Sequence, residues 1–167
     1  MIAVSRGLPN KAMLDLYDEF RAIISALSER EIDYAVCGGL AVSIYAQPRA
    51  TVDIDLLIRP ADFESARSSV RDIGYTIDAQ PMTFHHGAIE IRRVSKLDPE
   101  AGDVLTLDLL LVTPEIVDIW DSRSQIETEH GALWVVSRSG LIALKSLRAS
   151  GQDLDDIARL REELDES

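Results

Sequence analysis

The sequence predicts an α/β (α+β) domain in which strands and helices are interleaved. Three observations carry that prediction. Apolar residues recur at helical spacing near both ends of the chain, "TVDIDLLI" and "VLTLDLLLV" read as strands in the middle, and Gly and Pro punctuate the segments between them. At 167 residues, 46% hydrophobic and 28% charged, the chain is long enough to bury a core of its own. We take 1–167 as a single domain, with a core over about 32–136 and a C-terminal helical part over about 137–164.

In chain order, Met13, Tyr17, Phe20, Ile24 and Leu27 place an amphipathic helix over roughly residues 11–30. "DYAVCGG" reads as a short buried strand broken by Gly38 and Gly39, and "LAVSIYA" as a short helix ended by Pro48. "TVDIDLLI" is the next strand, and Pro60 opens a helix through about Ile73. "YTID", "MTFHH" and "AIEIRRV" are strand candidates, with His86 and Gly87 at a turn. "KLDPEAGD" is a loop, "VLTLDLLLV" a strand, a short helix follows Pro114, and "ALWVVS" forms one more strand. Leu141, Leu144 and Leu147 then give one helical face, and Leu154, Ile157, Leu160 or Arg161, and Leu164 another, with "ASGQD" between.

The formal net charge of −12 argues against a protein that coats nucleic acid, because such binding rests on phosphate neutralisation by Lys and Arg. No apolar stretch is long enough to cross a membrane, and the N-terminus lacks the apolar core of a signal peptide, so the reading is cytoplasmic. The one cysteine, Cys37, excludes an internal disulfide and reads as a small buried residue beside the glycines. His85 and His86 read as turn residues, and Trp120 and Trp134 as packing residues.

Two acids inside an aliphatic strand need an explanation, since a buried charge without a partner is costly. Alternation sends Val52, Ile54, Leu56 and Ile58 one way, and Thr51, Asp53 and Asp55 the other, joined by Arg49 if the extended run starts that early. Adjacent carboxylates on one face repel, and a divalent cation with a taste for hard oxygen ligands, such as magnesium, removes the conflict. In "VLTLDLLLV", Leu105, Leu107, Leu109 and Leu111 share a face, while Thr106 and Asp108 lie on the other. If the two strands are neighbours, Asp53, Asp55 and Asp108 converge, and three carboxylates can hold two magnesium ions. Gly38 and Gly39 open a helix, giving a phosphate group close backbone approach and free N–H donors. Lys145 adds a point charge for phosphate, with Arg148 one turn later on the same face.

This combination, "GGLAVSIYAQPRATVDIDLLI" with Asp108 in a later strand, resembles the nucleotidyltransferase superfamily with the DNA polymerase β-like fold. The Arg49-x-Thr51-x-Asp53-x-Asp55 form, followed by a C-terminal lysine helix and "DLDDIARL", is similar to the AbiEii-type branch, which includes toxins of toxin–antitoxin systems. The resemblance spans roughly Asp33–Ile58, Val104–Val112 and Leu141–Leu160. It implies a mixed β-sheet flanked by helices, with C-terminal helices. It also implies transfer of a nucleoside monophosphate from an NTP, ATP among them, to a hydroxyl acceptor: an RNA end such as tRNA, a partner protein side chain or a small molecule. Asp53 and Asp55 would bind both catalytic Mg2+ ions, and Asp108 would be the third ligand and help activate the acceptor. Gly38, Gly39 and Ser43 would hold nucleotide phosphates, with Lys145 on the triphosphate and Arg49, Thr51 and Arg148 as auxiliary candidates. Gly39 stands where many relatives have serine, so one hydroxyl contact to phosphate is missing. A toxin or antitoxin partner is implied as well. The alternative is a non-catalytic nucleotide-binding or antitoxin-like module of the same fold.

Overall fold

Asp15 starts the first described helix by accepting from the backbone N–H groups of Tyr17 and Asp18, at 2.9 and 3.0 Å. The computed structural model describes residues 14–46, 51–129 and 131–166, with side chains through residue 162. Met13, Pro48, Arg49 and the Leu164 side chain lie outside the described residues. Helix α1, Leu16–Glu29, buries Phe20, Ile23 and Leu27, whereas Tyr17 is 45% exposed, so its apolar stripe is rotated from the expected one.

Strand β1, Ala35–Cys37, runs directly into helix α2, Gly38–Tyr45. Strand β2, Asp53–Ile58, begins two residues later than expected, and Val52 is 74% exposed rather than in the core. Pro60–Asp62 forms one 3-10 turn before helix α3, Phe63–Arg71, which stops short of Ile73. Strands β3 (Ile77–Asp78), β4 (Met82–Phe84), β5 (Ile89–Leu97) and β6 (Val104–Leu111) follow. His85, His86 and Gly87 all take positive φ in the turn between β4 and β5. After a 3-10 turn at Pro114–Ile116 come helix α4 (Val117–Asp121) and strands β7 (Ser124–Thr128) and β8 (Gly131–Val135). The sequence reading missed β7, a largely exposed edge strand without an apolar face to betray it. Helices α5 (Arg138–Arg148) and α6 (Gly151–Glu166) are separated by two residues, with Ala149 left-handed at φ 51°. Leu154, assigned to a packed face, is 57% exposed, while Ile157 and Leu160 are buried.

The strands form one mixed sheet in the order β3-β5-β6-β2-β1-β8-β7, with β4 also paired to β5. β2 and β6 are parallel, as are β1 and β8; β1 with β2, and β5 with β6, are antiparallel. Both sheet faces are covered, which explains why β2 and β6 are aliphatic on both sides. The Nζ of Lys96 donates to Glu19 at 2.9 Å, which pins α1 to the face that carries Leu105. The Ser69 hydroxyl donates to the Ala26 carbonyl at 2.8 Å and ties α3 to α1 on that side. On the opposite face, Leu141 and Leu144 of α5 close a small space shared with Leu110, Cys37 and Asp55. Among the described residues, no helix is long and apolar enough to cross a membrane.

Candidate active site

Strand register builds the site. Cys37 pairs with Asp55, Asp55 with Asp108, and Asp108 with Arg93, so four side chains from β1, β2, β6 and β5 stand in one row across one face. One step along the strands, Asp53 pairs with Thr106 and Thr106 with Ser95. Asp53 lies at the half-buried start of β2, whereas Asp55 is 8% and Asp108 2% exposed. These groups face a cavity of about 260 Å³ that also takes in Gly38, Gly39, Lys145 and Arg148.

Gly38 is required here twice over. Its φ of +67° is left-handed, and a Cβ on it would lie 2.1 Å from Asp55 Oδ2. The glycine thus makes the space that the Asp55 carboxylate fills. Cys37, the residue before α2, gives the helix no side-chain cap, which leaves the first-turn N–H groups of α2 uncapped by that residue beside the cavity.

Electrostatics set the three carboxylates apart. Among the described residues, Asp55 has no hydrogen-bond or ion-pair partner; burial first and the Asp108 charge second push its pKa up to about 7. The pKa of Asp53 is raised too, by burial and then by Asp108. Asp108 is different: Arg93 Nε donates to its Oδ1 at 2.7 Å and Arg93 Nη2 to its Oδ2 at 2.9 Å, a two-pronged pair. That pair, before the nearby acids, raises the Arg93 pKa further. Burial pushes the Cys37 thiol well up, with Asp55 adding to it, so Cys37 is a poor nucleophile. Among the described residues, no group of three His, Cys, Asp or Glu side chains is arranged to hold a metal ion. Asp53 and Asp55 by themselves offer the hard oxygens that suit one divalent cation. The β2–β6 register brings Asp53, Asp55 and Asp108 to one cavity, where Arg93 also pairs with Asp108.

The remaining candidates divide. Lys145 lines the cavity but is 6% exposed, with its Nζ 2.8 Å from Asp156 and 3.5 Å from Asp153, an ion pair that ties α5 to α6. Arg148 is more accessible, lies 4.0 Å from Asp153 and sits over the Phe84 ring at 5.6 Å. Thr51 borders the cavity and donates to the Asp53 carbonyl at 3.3 Å. Ser43 is not part of this cavity. Its hydroxyl donates back to the Gly39 carbonyl at 3.1 Å, and it lines a separate cavity of about 370 Å³ with Phe20, Ile44 and Leu133. That larger space is mostly apolar; its acids are Glu127 and Glu129, and none of the three aspartates lines it. Arg49 is outside the described residues. Trp120 is buried, but Trp134 is 37% exposed, and Arg123 stacks on both rings at 4.0 and 5.1 Å.

The sequence reading missed Arg93. Two adjacent arginines, Arg92 and Arg93, guarantee that one of them shares a face with Asp108, yet only the register of β5 on β6 says which one, and at what level.

No family model matches the chain, and no match was found among curated proteins. Solved structures do resemble it. The lincosamide antibiotic adenylyltransferase LnuA, with lincomycin bound, superposes with a TM-score of 0.57 at 16% identity, over 86% of this chain and 95% of that one. ANT(2'')-Ia in complex with adenylyl-2''-tobramycin gives 0.63 at 14% identity, over 87% of each chain. The solution structure of the antibiotic-resistance factor ANT(2'')-Ia gives 0.61 at 17%, over 90% of this chain and 86% of that one. The chain therefore has the nucleotidyltransferase fold.

Proposed function

We propose that this chain is a magnesium-dependent nucleotidyltransferase that moves a nucleoside monophosphate from an NTP to a hydroxyl acceptor and releases pyrophosphate. The observation that carries this reading is the Asp55 carboxylate, buried without a partner among the described residues against Gly38, where α2 begins. A cation satisfies such a carboxylate, and a cation there lies beside helix N–H groups suited to phosphate oxygens. When bound, magnesium offsets the charge that develops on the transferring phosphoryl group.

In this reading Asp53 and Asp55 hold the ion, and the N–H groups of Gly38 and Gly39 bind phosphate oxygens. Arg148 adds an accessible positive charge on the cavity wall. Lys145, fixed by Asp153 and Asp156, holds α5 against α6 and keeps a positive charge near Asp55. Asp108, oriented by Arg93, stands opposite Asp55 as the carboxylate on the acceptor side.

We favour a hydroxylated small molecule as the acceptor over an RNA end or a protein side chain. Two considerations support this: the structural neighbours act in antibiotic modification, and a net charge of −12 opposes a large RNA footprint. The "LKSLRASGQDLDDIARL" segment supports the AbiEii-type relationship, so tRNA and a toxin or antitoxin partner belong in the acceptor panel. We place the reaction in the cytoplasm, where NTPs are supplied.

The test is label transfer from each α-labelled NTP, with magnesium, to hydroxylated antibiotics, tRNA and candidate partner proteins. Acceptor-dependent labelling that is lost in Asp53→Asn is the expected result. Magnesium-dependent NTP binding with no labelling of any acceptor would move the assignment to a non-catalytic nucleotide-binding module. Neither binding nor labelling would end the nucleotidyl-transfer reading.

A further inference from the structure

We propose that the open end of the sheet face beside Asp108 is where the acceptor lies, and that it takes an amphiphilic polyol, with hydroxyl groups over Ser95 and Thr106 and an apolar edge on Val104 and Leu97. The inference rests on the reading of the acid cluster as a nucleotidyl-transfer site and says what class of acceptor that site takes.

Three rows of side chains follow one another along β5 and β6 on the face that carries the acids. Alternation puts Val104, Thr106 and Asp108 on that face of β6, and the register sets Leu97, Ser95 and Arg93 opposite them in turn. The Ser95 and Thr106 hydroxyls lie 3.4 Å apart, as side chains on one face do. On one side of the Asp108–Arg93 row the face is roofed: Ile91 is 1% and Leu110 4% exposed, and Leu110 shares its space with Leu141 and Leu144 of α5. On the other side the cover stops. Ser95 and Thr106 are half-buried, and Val104 and Leu97, the last pair of the ladder, are 58% and 46% exposed. A molecule with one hydroxyl at Asp108 thus meets two more hydroxyls and then two bare aliphatic side chains within about 14 Å along the strands. Charge chooses between occupants. The loop that closes the β5–β6 hairpin carries Asp98, Glu100 and Asp103 and no basic residue, so a polynucleotide laid on this face would set its phosphates against acids. The guanidinium on these rows, that of Arg93, is already paired with Asp108. A polar row followed by an apolar one matches instead a polyol that carries an aliphatic group at one end.

The experiment follows the methyl NMR signals of Val104 and Leu97 while the protein, in magnesium and a non-hydrolysable ATP analogue, is titrated with hexyl β-D-glucoside and with methyl β-D-glucoside. Hexyl glucoside should shift the methyls of both residues and bind at least about fivefold more tightly than methyl glucoside, because its chain removes apolar surface from water. Thr106→Val should weaken hexyl glucoside binding by about threefold or more, since it deletes a hydroxyl partner. In the Leu97→Ser/Val104→Ser double variant the two glucosides should bind within about twofold of each other. Both side chains being exposed, that variant should melt within about 3 °C of the wild type. Should it not fold, the comparison on the wild type decides. Equal binding of the two glucosides by the wild type, or no shift at Val104 and Leu97, overturns the proposal. So does a Thr106→Val protein that binds hexyl glucoside like the wild type. Shifts confined to Leu133, in the separate apolar cavity, overturn it too, as do shifts of Val104 and Leu97 by a short RNA and not by hexyl glucoside. Label transfer from NTP with an acceptor KM unchanged in the double variant would keep the transferase reading and sink this one. Hexyl glucoside seated on Val104 and Leu97, with neither NTP binding nor label transfer, would do the reverse.

Discussion

Asp55→Asn should stabilise the metal-free protein. The substitution keeps the side-chain shape against Gly38 and removes a charge that the fold holds at a loss. A folded-state pKa of about 7 against an ordinary 3.8 means that the fold favours the protonated carboxyl. Stability from this group is therefore complete below about pH 4 and is lost as the pH rises through about 7. Roughly three pH units at about 1.4 kcal/mol each gives about 4 kcal/mol as an upper bound. The buried asparagine amide, short of partners in its turn, takes back about 1–3 kcal/mol. The net gain at pH 8 in chelator is then about 1–3 kcal/mol, which in a chain of this length is a rise of several degrees in Tm. The assay is thermal unfolding of both proteins in EDTA at pH 5 and pH 8, repeated with magnesium. We expect the advantage of the variant to shrink at pH 5. We also expect magnesium to raise Tm of the wild type alone, since only it gains a bound ion. An Asp55→Asn protein that melts at or below the wild type in EDTA at pH 8 would show that the Asp55 charge is not a liability, and the cation argument would fail with it.

Two further substitutions probe the supports of the site. Gly38→Ala puts a methyl group 2.1 Å from Asp55 Oδ2 at a left-handed φ; with about 1 kcal/mol for the backbone alone and more for the clash, we expect a Tm loss of several degrees and loss of magnesium binding. A Gly38→Ala protein with unchanged melting and ion affinity would refute the packing role given to this glycine. Lys145→Met removes the cation paired with the fully buried Asp156, which keeps the Gln152 amide at 3.2 Å, and by analogy with other broken buried pairs should cost up to about 3–5 kcal/mol in urea unfolding. If Lys145→Met unfolds like the wild type but raises KM for NTP, Lys145 is a phosphate ligand after all and not a strut.

What the sequence determined by itself is what depends on one segment at a time. Period-two alternation put Asp53 and Asp55 on a common face of β2, and set Asp108 apart from the leucines at 105, 107, 109 and 111, because the pleat gives that information without any partner strand. The glycine pair likewise announced the strand-to-helix break, since φ at Gly38 is a local matter. The tertiary structure decided everything that depends on two segments meeting. Strand register follows from how both faces of the sheet pack, so the pairing of Arg93 with Asp108 was invisible in "IEIRRV". Ser43 and Gly39 are neighbours in sequence, yet the turn of α2 sends the serine to a different cavity. Lys145 reads as a free cation until α6 folds back and brings Asp153 and Asp156 to it. A charge near a phosphate site and a charge inside an ion pair look the same in one dimension; only the position of the opposite charge, fixed by long-range packing, tells them apart.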